Sequence, residues 1–333
     1  MRAAEIRRKL LGWYARRQRD LPWRRDRDPY RVWIAEIMLQ QTRVAAVIPY
    51  YSKFLNLFPT VGDLARARPQ KVLRAWAGLG YYARARNLHS AARRISAAGH
   101  FPSSYEEWLA LPGVGKYTAA AIASITLGEA RTVVDGNVRR VVSRVFAASD
   151  GYESKAAELL DRRRPGDFNQ AMMELGATIC RPSAPLCPQC PLAASCRAWR
   201  KGRVAEFPAA RRRKAPQRVS LRLAVVRRDG RLLLVPPTGA GFWPRFWTLP
   251  QLPHPLMKKG RRLGEFRHAV TFRDFRVEVF EARLVGGDGA EGRPRGVAPT
   301  CPDGMRWVTR AQLSRLPLST PSCKALNRLQ AVG

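Results

Sequence analysis

The chain has 333 residues, 46% of them hydrophobic, enough for two or three domains with cores of their own, which excludes a disordered tail. Its 60 Lys and Arg against 25 Asp and Glu leave a formal charge of +35, and charge of that size selects a polyanion as partner. Nucleic acid fits better than a membrane surface, because the basic residues are scattered between apolar segments and no run of about 18 apolar residues reads as a span.

The first segment, MRAAEIRRKLLGWYARRQRD, reads as an amphipathic charged helix with no signal-peptide core, so the expected location is cytoplasmic. Asp28-Pro29 is a helix start, followed by Trp33, Ile34, Ile37, Met38 and Val44 at helical spacing. Glu36 lies between these apolar positions. It is either a border carboxylate in water or an acid whose proton affinity is raised by partial burial. Gln40 and Gln41 add two amides able to donate and accept towards base edges or backbone. Breakers at Pro59, Gly62, Pro69 and Gly78-Leu79-Gly80 then separate short helices. Beyond the last turn, Tyr81 and Tyr82 sit beside Arg84 and Arg86: aromatics that stack on bases while the cations hold phosphates, or packing residues. Ser103 and Ser104 with Glu106 and Glu107 predict a capping box.

The stretch LPGVGKYTAAAIASITLGEARTVVD, Leu111 to Asp135, reads as a tight hairpin feeding a small-residue helix and ending in a carboxylate on a second hairpin, Val134-Asp135-Gly136-Asn137. Gly113 and Gly115 permit backbone conformations in which successive N–H groups converge on one anion at a helix N-terminus. Asn137 can cap the helix that carries Val138, Val141, Val142, Val145 and Phe146, and another helix carries Phe168, Ala171, Met172, Leu175 and Ile179. Cys180, Cys187, Cys190 and Cys196 follow with the spacing C-x6-C-x2-C-x5-C. Four thiolates on so short a loop suit zinc or an iron-sulfur cubane. After a basic, proline-containing linker at 201–217, VSLRLAVV, RLLLV and FRVEVFEARLV read as strands around an Arg228-Asp229-Gly230 turn. Helices are expected from Arg310 to Leu316 and near the C-terminus.

Hairpin, aspartate and cysteines together resemble the helix-hairpin-helix DNA glycosylase superfamily, and WIAEIMLQQTRV, GLGYYARARNLH, LPGVGKYTA, VDGNVRRV and FNQAMMELGA are similar to its adenine glycosylase branch. The resemblance implies one 4Fe-4S cluster on Cys180, Cys187, Cys190 and Cys196, in place of zinc. It implies an all-α catalytic region at 1–200, with a six-helix barrel and hairpin at about 21–130 and an iron-sulfur domain from 1–20 and 131–200. Glu36 matches the acid that protonates the adenine ring, and Asp135 the carboxylate that stabilises the sugar cation, electrostatically or covalently. Tyr117 stands where strand-cleaving relatives carry a nucleophilic lysine. Lys116 lies one position earlier, about 100° round the helix, and is expected to contact phosphate instead. The chain therefore resembles a monofunctional enzyme, with a bifunctional pyrimidine-lesion glycosylase and lyase of the endonuclease III type as the alternative. Asn137 is expected to position water or the aspartate, Gln170 to face the adenine, and Gln41 and Tyr82 to wedge the duplex as the base flips.

Residues 218–333, with GFWPRFWTLPQL and WVTRAQLSRLPLSTPSCKAL, resemble the smaller α+β Nudix-like domain of adenine glycosylases, which recognises 8-oxoguanine. No REx2EExG metal box is present, so Nudix hydrolysis is not expected. Where the family commonly carries Phe-Ser-His, this chain has Val270-Thr271-Phe272, leaving Thr271 and Phe272 as the lesion contacts. The expected partner is duplex DNA with adenine opposite 8-oxoguanine or guanine, bound by a monomer.

Overall fold

A computed structural model of the chain describes residues 3–209, 215–239, 241–270, 272–285, 304–313 and 316–330. The chain splits into two units, Met1–Arg211 and Arg212–Gly333. The cut falls inside the stretch expected to be a linker, of which residues 210–214 lie outside the described part.

The first unit is helical throughout. After α1 (Ala3–Arg17), α2 (Pro29–Leu39) starts where Asp28 accepts a 2.8 Å bond from the Arg31 N–H and Pro29 occupies the first turn. Every α2 residue from Val32 to Met38 is buried, so this helix is the axis of the unit. It stops at Leu39, because Gln41 turns into the left-handed region at φ 57, and Val44 opens α3 (Val44–Leu57) instead of continuing α2. The carbonyls left open at that end are filled by Arg84, which donates to Ile37 O (3.0 Å), Met38 O (2.7 Å) and Gln40 O (2.6 Å). Arg84 is thus a buried internal staple and not the phosphate contact its place beside Tyr81 and Tyr82 suggests.

Three short helices, α4 (Val61–Arg66), α5 (Pro69–Ala75) and α7 (Tyr105–Leu109), and the longer α6 (Ala83–Ala98) between the last two, lead to α8 (Lys116–Ile122). The cap before α7 is divided: Ser104 Oγ accepts from the Glu107 N–H, while Glu107 reaches back to the Ser103 N–H at 2.7 Å. Between α7 and α8, Gly113 has φ +80, and a Cβ there would stand 2.7 Å from the Asn87 side chain, so the hairpin is closed to other residues on both counts. A π-helical turn, Ala123–Leu127, ends α8.

The expected second hairpin at Val134–Asn137 is instead the start of α9 (Gly136–Phe146), and Asp135, not Asn137, is its cap. α10 (Tyr152–Leu159) and α11 (Pro165–Thr178) follow, then the cysteine loop and α12 (Arg197–Arg200). One apolar core gathers residues from Leu21 to Ile125. Another gathers Ile6, Leu10, Leu11 and Tyr14 with residues between Val138 and Leu192.

The second unit has two three-stranded sheets. In one, β1 (Gln217–Val225) runs parallel to β5 (Arg273–Leu284), which pairs antiparallel with β4 (Met257–Val270); in the other, β3 (Arg231–Leu234) lies between β2 (Arg227–Arg228) and β6 (Arg306–Thr309). The β2–β3 turn has Asp229 and Gly230 at φ 48 and 69, the two positive values a tight hairpin needs. α13 (Arg310–Leu313) is shorter than expected, and α14 (Thr320–Gln330) lays Ala325 and Leu326 on the core of Leu221, Phe275 and Val277. Among the described residues no helix is long and apolar enough to cross a membrane.

Replacing Arg84 by Met would leave two α2 carbonyls and that of the C-cap Gln40 without their donor, so the variant is expected to lose about 3 kcal/mol of stability in thermal or denaturant unfolding. Arg84→Lys should recover only part of it, since one ammonium cannot reproduce the guanidinium fork.

Candidate active site

One cleft of about 180 Å³ in the first unit receives side chains from α2, α8, the start of α9 and α11. Leu21, Trp23, Val32, Leu39, Val44 and Ile125 make one side of it apolar, and Glu36, Tyr117, Asp135, Asn137 and Gln170 are brought together inside it. Glu36 is 7% exposed. Its carboxyl is pushed up to about 7, first by burial and then by the Asp135 carboxylate, with Arg24 pulling the other way.

Asp135 is held differently, although it opens into the same cleft. One of its oxygens accepts the Val138 N–H of α9 at 2.7 Å and the other accepts from the Asn137 amide at 2.9 Å, both at a helix N-terminus that favours negative charge. Asn137 is oriented in turn by Arg140, whose Nη2 donates to its Oδ1 at 2.8 Å and to Gly176 O at 2.7 Å, while Nε donates to Cys180 O at 2.7 Å. A Cβ on Gly176 would lie 2.5 Å from the Asn137 Cβ, so only glycine lets α11 approach this closely. Tyr117 donates its hydroxyl to Met173 Sδ at 3.1 Å. Burial, with Glu36 and Asp135 nearby, lifts that phenol well above its ordinary range, so it stays neutral. Lys116, the first residue of α8, is exposed and outside the cleft, as the helical phase predicts.

Sequence reading missed the charged back wall. Glu174 is fully buried on α11. It accepts two bonds from the Arg19 guanidinium (2.6 and 2.9 Å), one from the Arg19 N–H (3.4 Å) and one from Arg24 (2.9 Å), and all three residues line the cleft. The available signal was spacing, because Glu174 stands one helical turn after Gln170 and so shares its face.

Other expected residues lie elsewhere. Gln41 is exposed and does not line the cleft; its neighbour Gln40 ties α2 to the hairpin through Thr118 Oγ1 (3.1 Å) and Gly113 O (3.3 Å). Tyr81 is the exposed aromatic of its pair, and Tyr82 is half-buried against the first core. Gly113 and Gly115 are on the hairpin surface. In the second unit Phe272 is 57% exposed at the β4–β5 tip, with the Arg273 guanidinium 4.8 Å from its ring; Thr271 lies outside the described residues, as does Cys301.

Cys180, Cys187, Cys190 and Cys196 line one separate cavity with Arg144, Ile179, Trp199 and Val204. Arg144 donates to Cys180 Sγ at 3.3 Å and to Arg181 O at 2.8 Å, and the Cys196 thiol donates to Arg144 O at 3.3 Å. Burial pushes the Cys190 thiol up to about 12, so a thiolate there requires a cation beside it. Among the described residues no three His, Cys, Asp or Glu side chains converge as ligands of a single ion. The four thiols lining this one cavity are an all-sulfur donor set of the kind zinc or an iron-sulfur cluster takes.

Residues 34–165 match the family model described as HhH-GPD superfamily base excision DNA repair protein. A solved thermostable thymine-DNA glycosylase is 30% identical and superposes with a TM-score of 0.55, over 60% of this chain and 97% of that one. A non-covalent endonuclease III–DNA complex, 23% identical, shares the fold with a TM-score of 0.52 over 61% and 98% of the two chains. Fold and site together define a helix-hairpin-helix DNA glycosylase of base excision repair. Adenine DNA glycosylase from Homo sapiens is 35% identical, covering 96% of this chain and 73% of its own length, and that from Mus musculus is 34% identical, covering 93% and 75%. The chain belongs to the adenine DNA glycosylase family.

Because the Glu36 carboxyl sits near 7 in the folded protein and near its ordinary 4.5 when unfolded, the folded state binds the extra proton between those values. The stability this proton provides is complete below the unfolded value and is lost as pH rises through 7. Glu36→Gln, which has no charge to bury, should therefore gain up to about 3 kcal/mol on the parent at alkaline pH and almost nothing in acid, as read by thermal unfolding across pH.

Proposed function

We propose that this chain hydrolyses the N-glycosidic bond of adenine mispaired with 8-oxoguanine or guanine in duplex DNA, as a monomer in the cytoplasm, without cutting the strand. One observation carries the reading: two carboxyl groups share one cleft under opposite regimes, Glu36 retaining its proton near neutral pH and Asp135 fixed by a helix N-terminus, with a phenol and, among the described residues lining the cleft, no amine beside them.

The steps follow from those environments. A flipped adenine enters the cleft between Trp23, Leu39 and Ile125, and Gln170 accepts from its amino group. Glu36 passes its proton to a ring nitrogen, the bond from C1′ to the base breaks with its electrons leaving on adenine, and positive charge develops on the sugar. Asp135, held by Val138 N–H and Asn137, stabilises that charge; water adds to C1′ and its proton leaves to solvent or the Glu36 carboxylate. Tyr117 has no amine, so no Schiff base forms and the backbone stays intact.

Outside the cleft, Gly113, Gly115 and Lys116 hold a backbone phosphate, and Gln41 and Tyr82 occupy or distort the space the base vacates. Cys180, Cys187, Cys190 and Cys196 hold a 4Fe-4S cluster, which when bound supplies a fixed charged anchor that folds residues 180–196. The second unit is the Nudix-like domain that reads the opposing base, with Thr271 and Phe272 as the lesion contacts.

Single-turnover assays on duplexes with adenine opposite 8-oxoguanine are expected to release free adenine, with strand breaks only after alkali. The rate should fall about tenfold per unit as pH rises above 7, where Glu36 loses its proton. Glu36→Gln and Asp135→Asn should abolish release yet keep mispair affinity; full activity in either would overturn the mechanism. Protein purified without chelators should be brown and contain about four irons, and Cys187→Ser should bleach it. A colourless protein with one zinc would sink the cluster assignment.

A further inference from the structure

The mechanism leaves one group without a task. Glu174 is a fully buried carboxylate, costly to place in an apolar wall unless it is matched by charge, and it is matched twice. Burial pushes its carboxyl up, and the Arg19 and Arg24 guanidiniums outweigh that, leaving it below the ordinary carboxylate range and ionised. Arg24 is 11% exposed at its side chain, bonded at 2.9 Å to Glu174 and at 3.4 Å to Arg19 O, with the Tyr14 ring 5.5 Å away. It lines the same cleft as Glu36 and Asp135, yet among the described residues neither of these forms an ion pair, and the ion pairs of Arg19 and Arg24 go to Glu174.

A desolvated guanidinium takes the nearest anion. Sharing the cleft with Glu36 are Arg19 and Arg24 from the segment after α1, Tyr117 from α8, Asp135 and Asn137 from the start of α9, and Gln170 and Glu174 from α11. If Glu174 were neutral, Arg19 and Arg24 would repel each other, and the anions left to Arg24 inside the cleft would be Asp135 and ionised Glu36. Either pairing disables the chemistry: one cancels the charge meant for the sugar, the other holds Glu36 deprotonated.

We infer that Glu174 is a positioning residue which pins Arg24 to the α11 wall and so keeps that cation from closing on Glu36 and Asp135. The inference rests on the reading of Glu36 as the acid. Its mark is a change in the pH profile, which a merely structural carboxylate would not produce.

The test uses the full chain with its metal complement and a duplex carrying adenine opposite 8-oxoguanine, following single-turnover adenine release on both sides of neutrality. Glu174→Gln keeps the shape and removes the charge, and its alkaline midpoint should fall by about one pH unit, so that the loss at alkaline pH exceeds the loss in acid by about tenfold. Arg24→Gln alone, with Glu174 still paired to Arg19, should raise the midpoint, and the double variant should return it towards the parent. A Glu174→Gln profile lowered by one factor at every pH, or a midpoint that stays or rises, overturns the proposal. Should that variant not fold by circular dichroism, Arg24→Gln decides: an unmoved or lowered midpoint is equally fatal. A parent that releases no adenine at any pH removes the functional reading and this inference together, whereas a parent with the expected profile and unmoved variants removes the inference alone.

Discussion

Everything in the cleft depends on burying one carboxyl in the middle of α2. A carboxylate inside an apolar helix face is unstable, so the protein resolves the conflict by leaving the proton in place. That solution works only if no cation is free to pay for ionisation. Asp135 therefore sits close enough to repel a second charge, and Arg24 is occupied elsewhere. The two carboxyls differ because of their supports: the first has apolar neighbours, the second a helix N-terminus and an amide.

The same economy governs the arginines. A charge of +35 reads as a surface made for a polyanion, yet several of the cations nearest the site face inward. Arg84 closes the end of α2, Arg140 links Asn137 to Cys180 and Gly176, Arg144 meets Cys180 and Arg181, and Arg19 and Arg24 neutralise Glu174. Arginine suits these places because its fork serves several carbonyls at once and keeps its charge when desolvated. Net charge thus overstates what is left for DNA. It also conceals that the internal guanidiniums set the geometry of the chemistry.

Much of this was legible in residue order. Asp28-Pro29 is a local signal and placed the start of α2; the apolar spacing after it left Glu36 open between a border carboxylate and a buried acid, and the packing of α2 buries it. Helical phase separated Lys116 from Tyr117, and the cysteine spacing brought four thiols to one cavity. The failures were of tertiary origin. Val134–Asn137 carries turn residues that serve equally as a hairpin or a helix start, and the packing of α9 on α11 chose the helix. Arg84 looked solvent-facing because nothing local announces that the end of another helix, more than forty residues earlier, needs donors. Glu174 was unreadable for the same reason, since its partners lie about 150 residues away.

The hairpin shows how narrowly such a scaffold separates two chemistries. Gly113 forces the turn, α8 begins at Lys116, and one residue later the helix points into the cleft. An amine at that second position would stand beside Asp135 in an apolar site, where loss of its proton is favoured and attack on a sugar carbon follows. A phenol there has the opposite tendency: burial and two acidic neighbours hold its proton fast, and its hydroxyl is spent on Met173. In the proposed mechanism Tyr117 is thereby inert as a nucleophile, and water completes the reaction. In the mechanism proposed above, about 100° of helical phase is what places a phenol and not the neighbouring Lys116 amine in the cleft.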